Sequence, residues 1–157
     1  MFRPVLMVGL ALAGFCAALD AAADDQLVWH TYANGNELHL IMGLPESDNQ
    51  IIDISCTRGS DAIKVRSLIG SDGLKAGDAA QLTLANSGAK AVFDGRAIPN
   101  DETAGIDVEA RGTLGDFQRI ITTGRPFVLE VKGAQYGLAP DRIEKPLATL
   151  ASACKTG

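Results

Sequence analysis

The only two histidines in the chain, His30 and His39, flank the dipeptide Asn34-Gly35, with Tyr32 and Glu37 between them. Imidazole and carboxylate are transition-metal ligands, and both exchange protons, so a cluster of these groups would be a metal or acid–base site. Asn-Gly between two short runs of alternating hydrophobicity is the strongest short-range hairpin signal. With Asn34 and Gly35 as a two-residue turn, Ala33 faces Asn36, His30 faces His39, and Tyr32 faces Glu37. The opposite face then carries Leu27, Trp29, Leu38, Leu40 and Met42. That separation of polar from apolar faces supports the register, because a slip of one residue would mix them. Directly opposed side chains are close enough to share a metal ion. His30, His39 and Glu37 are therefore the candidate ligands of an open transition-metal site. A polar strand face that simply contains two histidines is the plainer alternative.

Other arrangements that resemble motifs are weaker. Ser87-Gly88-Ala89-Lys90 spells SxxK, but it falls in an expected hairpin turn rather than at the start of a buried helix. Asp72, Gly73 and Asp78 lack the alternating oxygen ligands and closing Glu of a calcium loop. Asp101 and Glu102 adjoin in a polar stretch where both would be hydrated. Arg58, Lys64 and Arg66 form at most a basic strip on a solvated sheet face. There is no HExxH, P-loop, GxGxxG or GxSxG pattern. No catalytic residue is assigned, and an enzyme would have to work without a readable motif. Trp29, the one tryptophan, belongs to the apolar face and so to the core.

The elements that must position these groups are mostly strands. Leu27–Ala33 and Glu37–Met42 form the first hairpin, and Gln50–Arg58 reads as a buried strand ending in Cys56. Ile63–Ile69 alternates apolar and basic residues. Ser71–Asp78 is a loop. Gln81–Ala85 and Ala89–Phe93 flank a second hairpin turn at Asn86-Ser87-Gly88. Pro99–Gly105 reads as a mobile polar stretch. Ile106–Ala110 and Phe127–Val131 are further strands, with Gln135–Leu138 following a bend at Gly133. Two helices interrupt the period of two. One spans Asp116–Thr123, capped by Asp116 and stopped at Gly124. The other starts at Pro146 and carries Leu147, Leu150, Ala151 and Cys154 on one face.

Residues 1–23 read as an address. Arg3 supplies the positive charge, Val5–Leu19 is apolar, and Ala21-Ala22-Ala23 offers the small residues of a cleavage site. The apolar run is short for a membrane span, so export to the periplasm without stable membrane insertion is expected. Phe15 before Cys16 does not suit a lipid-attachment signal. Residues 24–157 then form one domain. The chain of 157 residues carries a net charge of −5, and losing Arg3 and Asp20 leaves it unchanged. Such a balance argues against nucleic acid or an anionic membrane as partner, since both require a basic face. Cys16 would leave with the signal, and two cysteines in an exported chain are most simply a disulfide. If Cys56 and Cys154 are bonded, a loop of about 100 residues is closed, worth roughly 4 to 5 kcal/mol on the chain-entropy model.

The strand IIDISC after GLPESD, and GRPFVLEV followed by a short loop, an apolar strand and a helix ending in Cys, resemble a group of small exported bacterial proteins of unknown function. The resemblance implies an α+β fold and the Cys56–Cys154 bond, and implies no activity. The expected architecture is α+β: mostly antiparallel sheet, sandwich-like or curved, with two short helices and one disulfide. The expected function is a non-enzymatic binding or accessory protein of the cell envelope, meeting an envelope protein or small ligand. Inhibition of an envelope-directed hydrolase is one form of it. A metal-binding periplasmic protein using the His30/His39 face is the alternative.

Overall fold

The structure, a computed structural model, describes residues 27–155. The predicted signal segment and Cys16 lie outside them. Nine strands form one antiparallel sheet: β1 (Val28–Asn34), β2 (Glu37–Gly43), β3 (Gln50–Thr57), β4 (Ala62–Ser67), β5 (Ala79–Ala85), β6 (Lys90–Asn100), β7 (Gly105–Thr113), β8 (Phe127–Val131) and β9 (Ala134–Leu138). Their order across the sheet is β1-β2-β3-β4-β7-β6-β5-β8-β9. The helices are α1 (Leu114–Ile121) and α2 (Glu144–Ala153). The chain is thus α+β, as its patterning predicts.

The sheet curls. Seven strand spacings of roughly 4.8 Å would put β1 and β8 about 34 Å apart in a flat sheet. Instead the Trp29 ring on β1 lies 6.1 Å from that of Phe127 on β8. The Trp29 indole N–H also donates to the Ala139 carbonyl at 2.8 Å, just beyond β9. The curled inner face is lined by alternate residues of every strand, among them Leu40, Ile54, Val65, Val108, Phe93, Leu84 and Leu129, all essentially inaccessible to water. Two helices fill the hollow: α1 packs on β5, β6 and β7, and α2 on β1, β2 and β3. From α1, Leu114, Phe117, Ile120 and Ile121 join the core; from α2, Leu147, Leu150 and Ala151 do. Burying one such Leu, Ile or Phe is worth about 1.5 to 3 kcal/mol, so this shared interior dominates the stability.

Cys56 at the end of β3 is bonded to Cys154 at the C-cap of α2, with Cα atoms 5.8 Å apart and a sequence separation of 98. Beside the bond, the Gly59 N–H donates to the Ala153 carbonyl at 2.8 Å. The end of α2 is therefore fastened to the β3–β4 turn both covalently and by its backbone.

Several local expectations are corrected. The first turn is Gly35-Asn36 rather than Asn34-Gly35, so Asn34 pairs with Glu37, Tyr32 with His39 and His30 with Ile41. Within this turn only Gly35 takes a positive φ, 57°. Placing it first in the turn confines the left-handed conformation to the residue that adopts it freely. Moving the turn by one residue moves the pairing by two, so both faces keep the composition read from sequence. Pro99–Gly105 is not a long loop: β6 runs through Pro99 to Asn100, and only Asp101–Ala104 turn. Pro99 is tolerated because β5 pairs with β6 only as far as Arg96, which leaves that end with a free side needing no N–H. The cap of α1 is Thr113, whose hydroxyl oxygen accepts from the Asp116 N–H at 3.2 Å and donates to the Asp116 carboxylate at 2.7 Å. Helix α2 begins at Glu144, with Pro146 inside its first turn. Its first backbone bond runs from the Leu147 N–H to the Ile143 carbonyl, so the N–H that Pro146 lacks has no partner to lose.

Two stability outcomes follow. Denatured, unreduced protein comprising residues 24–157 should show no free thiol, and Cys56→Ser should lose roughly 4 kcal/mol in a urea titration. Trp29→Ala should lose about 3 to 5 kcal/mol, since it removes a core aromatic from the seam where the two ends of the sheet meet. Equal stability of Trp29→Ala and wild type would show that the seam is not a packed contact.

Candidate functional site

Where alternate residues of β2, β3, β4, β7 and β6 line the core, the others necessarily share the outer face. Pairing places them in two adjacent rows. One row, read from β3 through β4 and β7 to β6, is Asp53, Arg66, Glu109 and Arg96, each directly opposite the next. Its signs alternate, as favourable cross-strand pairs should. The other row, from β2 through β3 and β4 to β7, is His39, Ser55, Lys64 and Arg111.

Side chains clasp one another between the rows. Nδ1 of His39 reaches both oxygens of the Asp53 carboxylate, at 3.1 and 2.9 Å. The Glu37 carboxylate lies 3.9 Å from His39 Nε2 through one oxygen and accepts from Lys64 Nζ at 2.8 Å through the other. Tyr32 stands over the imidazole with ring centroids 5.7 Å apart. Further along, Nε of Arg66 donates to one oxygen of Asp107 at 2.7 Å, its Nη2 lies 2.6 Å from that oxygen in an ion pair, and Asn100 Nδ2 donates to the same oxygen at 3.0 Å. Asp107 is only 3% exposed, so these donors replace the water it has lost. Asn100 in turn accepts from the Glu102 and Thr103 N–H groups, which ties the β6–β7 turn to β4 through Asp107 and Arg66.

The electrostatics follow from these contacts. The Asp53 hydrogen bond holds the His39 imidazole above its ordinary pKa, against the opposing pull of burial. Glu37 is held below the usual carboxylate range, first by its hydrogen bond to Lys64. His39 Nδ1 carries a proton that Asp53 accepts, while Nε2 is buried and makes no hydrogen bond among the described residues. An imidazole so placed holds a proton within the sheet rather than offering it to a bound molecule.

The predicted ligand set, His30, His39 and Glu37, does share the outer face. The histidines are diagonal rather than directly opposed, because His30 pairs with Ile41. His30 Nδ1 faces the Val28 carbonyl at 3.2 Å, while His39 turns to Asp53 on the next strand. Among the described residues no group of three His, Cys, Asp or Glu side chains converges as metal donors. Of the predicted basic strip, Lys64 and Arg66 join the face, whereas Arg58 lies past the end of β3 with its N–H bonded to Asn36. The sequence reading missed Asp53, Asp107, Asn100 and Arg111. Asp53 carried one legible signal: it is the one charged residue of its strand, at a position that alternates away from Ile52, Ile54 and Cys56.

Because His39 binds its proton more tightly folded than unfolded, the His39–Asp53 pair stabilises the fold fully below the unfolded value near 6.5. That contribution is lost as pH rises through the higher folded value. Asp53→Asn should lower the His39 midpoint in an NMR imidazole titration and flatten this part of the stability–pH curve. An unmoved midpoint would show that Asp53 does not hold the proton.

The chain matches no family model, no curated protein and no solved structure, so its function is argued from this face alone.

Proposed function

We propose that the chain is an exported, non-enzymatic binding or accessory protein of the cell envelope, and that its outer sheet face over β2-β3-β4-β7-β6 is the contact surface. The observation that carries this reading is the interlocked polar network on that face. Its His39, Asp53, Glu37, Lys64, Arg66 and Asp107 side chains are held by one another across strands, so binding a partner over them would immobilise little that is still free. Shallow depressions continue along the face. One lies over Asp94, Arg96, Glu109 and Arg111; its neighbour shares Asp94 and extends to Gln81, Glu130 and Lys132. The inner face, by contrast, is filled by the apolar core.

Export is supported by the apolar, Ala-rich start of the sequence, and a disulfide suits an oxidising compartment. A binding role is favoured over catalysis because the histidine of the network has one nitrogen engaged with Asp53 and the other buried. An inhibitor of an envelope-directed hydrolase is one form such a rigid, disulfide-closed sheet can take.

Capture from envelope extract on immobilised mature protein tests the reading. The comparison is Arg96→Glu/Glu109→Arg, which keeps an opposite-charge pair across β6 and β7 while inverting the pattern presented to a partner. A species retained by wild type and lost by the swap supports the proposal. Identical retention by both would place any binding elsewhere.

A further inference from the structure

The two rows of the outer face obey different rules, and that difference points to a ligand. Asp53, Arg66, Glu109 and Arg96 alternate in sign strand by strand. In the neighbouring row Lys64 and Arg111 are directly opposite one another, two cations where pairing favours opposite charges. Glu37 satisfies Lys64. No ion pair or side-chain hydrogen bond among the described residues includes Arg111, which is exposed. One carboxylate therefore faces two cations.

These cations border a depression of about 310 Å³ whose lining includes Glu37, Ser55, Thr57, Ser60, Lys64 and Arg111. Ser60 Oγ accepts from the Ala62 N–H at 3.2 Å, which leaves its own hydrogen free to donate. Ser55 stands between His39 and Lys64 in the row, and its hydroxyl has no hydrogen-bond partner among the described residues. The depression thus combines a guanidinium fork, an ammonium and hydroxyl donors around an uncompensated positive charge.

We propose that this depression, between the β3–β4 turn and Arg111 on β7, is a phosphate-binding site. Arg111 grips two oxygens side by side, Lys64 adds a point charge shared with Glu37, and Ser55 and Ser60 donate to the remaining oxygens. A tetrahedral phosphate has enough acceptor oxygens for this donor set, whereas a carboxylate leaves donors unused. The group would be free phosphate or the phosphomonoester of a larger envelope molecule. The inference deepens the binding role proposed above and rests on it for its biological context, but the site is tested on purified protein alone.

The experiment titrates inorganic phosphate, glycerol 3-phosphate and acetate into mature protein at constant ionic strength, following backbone amide shifts and the melting temperature. Wild type, R111Q and R119Q are compared; Arg119 is an exposed arginine of α1 that pairs with Asp116 and does not line this depression. Phosphate should give saturable shifts at Ser55, Lys64 and Arg111 and raise the melting temperature. R111Q should weaken phosphate binding about tenfold or more, as expected for loss of a bidentate charged partner, while R119Q binds as wild type does. Without phosphate, R111Q should melt above wild type because the opposed cations are gone, and added phosphate should close that gap. Glycerol 3-phosphate binding as tightly as phosphate identifies a phosphomonoester ligand; tighter binding of phosphate identifies the free ion. Equal shifts in wild type and R111Q, or acetate binding as well as phosphate, would overturn the proposal. Phosphate binding without partner capture from envelope extract would sink the envelope-partner role and leave the site standing.

Discussion

The structure depends on closing a nine-stranded sheet around its own apolar face. A sheet with one hydrophobic side must cover it, and this one does so by curling until β1 reaches β8 and by placing two helices in the hollow. Trp29 marks the seam: its ring packs near Phe127, and its N–H finds an acceptor in the Ala139 carbonyl, so burying the indole strands no polar group. The Cys56–Cys154 bond holds the end of the second helix against β3. Cross-link and seam act on the same event, the folding of the chain's end back onto its front.

Closure dictates what remains outside. Every residue that alternates away from the core falls on one continuous outer face, and strand pairing sorts those residues into rows. Most exposed ion pairs are worth about 0 to 1 kcal/mol each, so the network is not what stabilises the fold. Its consequence is order: His39, Glu37 and Lys64 are held in sequence by Asp53 and by each other. Asp107 differs from these because it is buried, and a buried carboxylate deprived of Arg66 or Asn100 would be left with an unpaid desolvation cost. That triad is structural, fastening the β6–β7 turn to the middle of the sheet. The row containing Lys64 and Arg111 is the part of the face whose charge is unbalanced.

Strand positions and their two faces were legible in the sequence because side-chain direction repeats every two residues, a local property that Ile63-Lys64-Val65-Arg66 displays openly. Parity also explains how the faces of the first hairpin were read correctly while its partners were not. Alternation distinguishes a slip of one residue but not of two, and the decision fell to the backbone conformation at Gly35. The cap of α1 shows the same limit. Asp116 and Thr113 are both good caps, and only the path of β7 into the helix selects Thr113.

What the sequence by itself determined is therefore the local alphabet: period, face, turn sites, and a pair of cysteines able to close the chain. Tertiary structure alone decided which polar residues meet. Asp53 comes to His39 across β2 and β3, Asp107 to Arg66 over 41 residues of chain, and Arg111 opposite Lys64 because β4 pairs with β7 rather than with β5. Strand order is set by how the whole sheet can bury its apolar face once, and no local pattern of residues encodes that.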